Sequence, residues 1–109
     1  MQIINWFETP NWQQNVLLGG VPFNINAYYN VRDTSWYINI FTNENEAIIL
    51  GKKLIINTDI LSSVFSPKQP RGLLFLLPIT DVLEITRDNM GIDVELIFVG
   101  VDELLQQGL

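Results

Sequence analysis

Val21-Pro22-Phe23-Asn24-Ile25-Asn26-Ala27-Tyr28-Tyr29-Asn30 is the stretch that decides the fold of this chain. Val21, Phe23, Ile25, Ala27 and Tyr29 share one parity, and Pro22, Asn24, Asn26, Tyr28 and Asn30 the other. Successive side chains of a strand point to opposite faces, so this alternation predicts a strand with one buried side. Gly19-Gly20 just before it reads as a turn, and Val16 to Leu18 as the short strand that completes a hairpin.

The same period continues downstream. Trp36, Ile38 and Ile40 share a face within Ser35 to Thr42, with Tyr37, Asn39 and Phe41 opposite. Asn43 to Glu46 is a polar turn, after which Ala47 to Leu50 resumes the apolar pattern. Gly51-Lys52-Lys53 reads as a bulge or tight bend, with Leu54 to Ile56 continuing the strand. Asn57 to Arg71 breaks the period. One helical turn is expected near Ile60 to Phe65, capped by Thr58 or Asp59. The remainder, with Pro67 and Pro70, reads as a long loop whose role the sequence leaves open.

Gly72 to Leu77 is a continuous apolar run, as expected of a strand covered on both faces, by its own core or by a partner. Asp81 to Arg87 reads as a further strand through Val82, Leu83 and Ile85, Asp88 to Gly91 as a turn, and Ile92 to Val99 as the last strong strand. Val101 to Leu109 reads as a short helix or tail. The expected fold is a single all-β domain over residues 1–109. Its architecture is a small antiparallel barrel or sandwich of about seven to eight short strands with a Pro-containing long loop.

Composition limits the functions open to it. Of 109 residues, 48% are hydrophobic and 17% charged, enough apolar surface to offset chain entropy and few charges to coat the outside. The net charge of −6 opposes nucleic acid and anionic lipid, and Lys52-Lys53 is the only close basic pair. No direct sequence-specific nucleic-acid binding is expected. The start, Met1 to Glu8, lacks the pattern of a secretory leader, and the run Leu73 to Leu77 is too short to cross a bilayer as a helix.

Catalytic chemistry finds little to work with. The chain has no His and no Cys, which removes the usual nucleophile pairs, imidazole bases and ordinary zinc sites. Asp88 to Asp93 lacks the ligand order of a calcium loop, and Gly19-Gly20 lacks the Lys of a phosphate loop. A carboxylate-dependent hydrolase would need a pair such as Glu84 with Glu95 to meet in a cleft. No catalytic, metal-binding or cofactor-binding residue is assigned, and the expectation is a binding protein rather than an enzyme.

The aromatics carry more information. Phe23 and Trp36 fall on the presumed core face, whereas Tyr28 and Phe41 fall opposite it. Trp6, Phe7 and Trp12 lie in an irregular start around Pro10. Exposed large aromatics favour interfaces, so Trp6, Phe7, Trp12, Tyr28, Phe41 and Phe65 are the candidate protein contacts. A free-standing small-ligand-binding β barrel, with aromatics lining a pocket, is the alternative.

The order of these hairpins resembles a family of small tailed-phage proteins, the baseplate plugs of simple contractile-tailed cyanophages. Gln14 to Asn30, Ser35 to Ile40, the turn Asn43 to Glu46, Ile48 to Gly51 with the following Leu54, Gly72 to Phe75 and Val94 to Phe98 carry the resemblance. It implies a compact β domain at the centre of the tail baseplate, near hub, spike and tube proteins, that helps close the tail channel. No catalytic residue is implied. The implied location is the virion after assembly in the host cytoplasm, with copies of the chain in a three-fold or six-fold arrangement.

Overall fold

A computed structural model describes residues 1–63, 66–81 and 84–101 of the chain. Its strands are β1 (Gln2–Ile4), β2 (Asn11–Leu18), β3 (Val21–Asn30), β4 (Ser35–Thr42), β5 (Ala47–Lys53), β6 (Gly72–Pro78) and β7 (Val94–Gly100). They form a four-stranded sheet in the order β2-β3-β4-β5 and a three-stranded sheet in the order β1-β7-β6, all pairs antiparallel. The fold is therefore all-β, with two sheets packed as a sandwich rather than one sheet closed on itself.

The alternation in β3 and β4 builds one wall of the core. Phe23, Ile25 and Ala27 point inward beside Trp36, Ile38 and Ile40. Leu74 and Leu76 of β6 and Val94, Leu96 and Phe98 of β7 belong to the same buried cluster. Burying a large aliphatic or aromatic side chain contributes roughly 1.5–3 kcal/mol, so this shared interior is the main force joining the sheets. Val21 shares the inward parity but is 53% exposed, because it starts its strand beside the Gly19-Gly20 turn.

Several elements depart from the sequence reading. β2 begins at Asn11, not Val16, so Trp12 lies in regular strand and pairs with Ala27. Trp12, Gln14, Val16 and Leu18 share a parity, and the polar Gln14 hides the pattern. Its Nε2 donates to the Asn5 carbonyl at 2.8 Å, which removes the cost of turning an amide inward. β5 ends at Lys53 rather than running to Ile56. Ile56 instead bridges Leu76 in parallel, where the chain passes from one sheet to the other.

Asp81 to Arg87 is not a strand among its described residues; Val82 and Leu83 lie outside them. Asn89 accounts for this. Its Oδ1 accepts the Thr86 N–H at 2.8 Å, and its Nδ2 donates to the Glu84 carbonyl at 2.9 Å. Backbone groups that a ladder would need are satisfied locally by a nearly buried side chain. The expected helical turn is a 3-10 turn at Ile60–Ser63, with Asp59 Oδ1 accepting the Leu61 N–H at 3.1 Å. The expectation for Phe65, and that for the tail beyond Val101, fall outside the described residues.

Candidate interaction surfaces

The sheet edges are largely closed. On the β2 edge, the Leu17 carbonyl accepts from Gln2 Nε2 at 2.8 Å and the Asn11 carbonyl from the Thr9 hydroxyl. On the β6 edge, the Leu74 N–H donates to Asp59 Oδ1 at 3.0 Å and the Leu76 carbonyl accepts the Asn57 N–H at 3.1 Å. β5 is irregular, with register shifts against β4 between Ile38 and Phe41, and ends in Lys52-Lys53. β1 has only three residues. Such devices block strand addition by another chain, so the faces and ends of the sandwich are left to meet neighbours.

Three of the candidate aromatics gather at one end. Trp6 packs edge-on to Trp12 at 4.9 Å and to Trp36 at 5.0 Å, and Phe7 edge-on to Trp12 at 5.6 Å. Trp12 is only 8% exposed, so the exposed ring expected there is instead a core ring, carried inward by its place in β2. Trp6 is half-buried, while Phe7 is 42% exposed. A hollow of about 410 Å³ lies beside them, lined by Trp6, Phe7, Trp36, Arg87 and Ile92 among others.

Tyr28 and Phe41 lie on the outer face of the four-stranded sheet, as the alternation predicts, each half-buried by its neighbours. Tyr28 stacks on its cross-strand partner Tyr37, with centroids 5.5 Å apart and planes 15° apart. The Tyr37 hydroxyl donates to Asp33 Oδ2. That bond, then desolvation and the Asp33 charge, hold the phenol above its ordinary pKa.

Sequence reasoning missed the amides between these rings as a set. Asn15 Nδ2 donates to Asn24 Oδ1 at 2.9 Å and to Asn43 Oδ1 at 3.0 Å. Asn24 Nδ2 donates to Asn45 Oδ1 at 3.1 Å, and Asn26 Nδ2 to Gln13 Oε1 at 3.0 Å. Asn39 Oδ1 accepts the Gly51 N–H at 2.7 Å, pinning the β5 irregularity. The alternation of Asn residues was visible, but only the β2–β3 register brings Gln13 and Asn15 beside Asn26 and Asn24.

At the opposite end from the tryptophans, a cleft of about 920 Å³ lies by the Gly19-Gly20 turn. Phe23, Phe98, Pro67 and Pro70 line it, with Lys68 and Arg71. Lys68 Nζ meets Glu46 at 2.8 Å, joining the Pro-containing loop to the β4–β5 turn. Glu84 and Glu95 stand apart in role: Glu84 is an exposed loop residue, and Glu95 pairs with Leu77 across β6 and β7. Among the described residues, no group of three or more Asp, Glu, His or Cys is placed to hold a metal ion.

Residues 1–102 match a family model described as "Cyanophage baseplate Pam3 plug gp18". The chain belongs to that family. A search of curated proteins finds no match to this sequence. Membership gives the plug a structural role in a phage baseplate, and hence in the virion, in company with other baseplate proteins. It also agrees with the resemblance read from the hairpins and with the all-β architecture.

Proposed function

We propose that the protein sits at the centre of the tail baseplate, contacts hub, spike or tube proteins, and helps close the tail channel without performing a reaction. The observation that carries this reading is the family match over nearly the whole chain. The architecture is suited to it. A sandwich with closed edges holds its shape without a partner strand, and its faces are free for broad contact. Phe7, Tyr28 and Phe41 are the aromatic contacts within reach of a neighbour, and Trp6 contributes its uncovered part. Several copies assemble around the tail axis, in the host cytoplasm, before the virion is complete.

The test is imaging of the particle. Density for this chain is expected on the tail axis in the baseplate, next to hub, spike or tube. Virions that lack the gene product are expected to assemble incompletely or to lose their DNA. Density at the tail periphery, or full infectivity without the protein, would overturn the reading.

A further inference from the structure

The outer face of the four-stranded sheet bears an uncharged lattice of side-chain amides: Gln13, Asn15, Asn24, Asn26, Asn43 and Asn45. All of these but Asn43 line a shallow hollow of about 570 Å³ that has Phe41 in its wall and no charged residue among its lining. The acidic neighbours in the β4–β5 turn are engaged elsewhere. Glu44 lines the cleft by the Gly19-Gly20 turn, and Glu46 holds Lys68.

We propose that this face binds the same face of a second copy of the chain; the inference rests on the reading of the protein as an assembly component and names the surface used. Self-complementarity is the first reason. An amide offers both N–H donors and a carbonyl acceptor. Within the lattice, the Oδ1 atoms of Asn15 and Asn26 accept no bond, and Gln13, Asn43 and Asn45 donate none. Acceptors and donors therefore both remain for a partner, and two such faces related by a two-fold axis satisfy each other.

Charge is the second reason. Two chains of net charge −6 repel each other, and they do so least across the amide hollow, which no carboxylate lines; the Asp33 carboxylate of this face lies toward the β3–β4 turn, bound by the Tyr37 hydroxyl. A charged partner would gain nothing there and would lose hydration. Area is the third. Four strands at about 4.8 Å spacing and eight residues at about 3.3 Å rise cover about 500 Å². A pair of such faces buries about 1,000 Å², the lower bound for a specific interface. The closed edges leave this face as the route by which the four-stranded sheet meets a copy of itself.

Sedimentation of the full chain tests this. A concentration-dependent dimer is expected, with a Kd that does not rise between about 50 and about 500 mM salt, because no ion pair holds it and salt screens the repulsion between the like-charged chains. In the lattice, Gln13 and Asn45 act through their oxygens alone, so Gln13→Glu with Asn45→Asp keeps both internal bonds. That double variant is expected to fold as the parent does and to raise Kd by about 100-fold or more, through carboxylates facing carboxylates. Mixing it with Gln13→Arg is expected to restore association, which an unfolded variant would not do. Ile55→Asp, an exposed position on the connection after β5, is expected to leave the dimer intact. A monomer at every concentration, or a dimer indifferent to the double variant, would overturn the proposal. If such a monomer still enters baseplates, the plug reading stands and the face meets another protein.

Discussion

Asp59 Oδ1 accepts the backbone N–H of Leu74 at 3.0 Å, so one carboxylate oxygen both caps the 3-10 turn and closes the edge of β6. Hydrogen bonds to a charged acceptor contribute about 1.5–3 kcal/mol each, and an orphaned half-buried donor adds a penalty. Asp59→Ala is expected to lower stability by about 2–4 kcal/mol in urea denaturation. Asp59→Asn retains an acceptor and is expected to cost less than half as much. Equal losses would show that the charge, rather than the geometry, matters at this point.

Two tryptophans of the same cluster differ in one atom's fate. Trp36 Nε1 donates to the Thr86 carbonyl at 3.1 Å, whereas Trp12 Nε1 is buried without a hydrogen-bond partner. Replacement by Phe removes similar volume at each site, but only at Trp36 does it break a bond. Trp36→Phe is therefore expected to cost about 1–2 kcal/mol more than Trp12→Phe. Thermal or chemical unfolding of the two variants measures the difference. The opposite order would mean that the packing lost at Trp12 outweighs the Trp36 bond to the Thr86 carbonyl.

Gly72 opens β6 with φ of +151°, and a Cβ built there would lie 2.2 Å from the Val99 carbonyl oxygen. The obstruction is backbone of the paired strand, which cannot turn aside. Gly72→Ala is expected to destabilise by about 3 kcal/mol or more, with loss of the β6–β7 register. Hydrogen exchange of the β7 amides reports it directly.

Tyr37 gives a pH signature. Its neutral hydroxyl donates to Asp33, so the folded state favours the protonated phenol. The contribution is full below the ordinary tyrosine range and is lost as pH rises through the raised value of Tyr37. An ultraviolet titration is expected to show Tyr37 ionising later than an unperturbed tyrosine. Asp33→Asn is expected to bring that step back down; an unchanged step would remove Asp33 as the cause.

Much of the four-stranded sheet was legible from sequence because its signals are local. Phe23 to Ala27 and Trp36 to Ile40 alternate cleanly, and two-residue or polar turns separate them. β2 was less visible because Gln14 occupies an inward position and meets its need through the Asn5 carbonyl. The three-stranded sheet depends on Ile3 meeting Ile97, which no local pattern announces. Asn89 replaced an apparent strand by side-chain bonds whose partners sequence alone does not reveal. For the candidate surfaces, parity placed Tyr28 and Phe41 on the outer face, but it could not tell that Trp12 is enclosed. Nor could parity assemble the amides, since a lattice across strands exists only once register is fixed.

The pairing of Gln2 with Phe98 sets a schedule for biosynthesis. β2 to β5 are contiguous and form a meander that can collapse while the ribosome is still translating. β1 is made before that meander, yet its ladder partner β7 is made after it. That early strand must therefore wait, and the second layer of the sandwich closes only once β7 has been made.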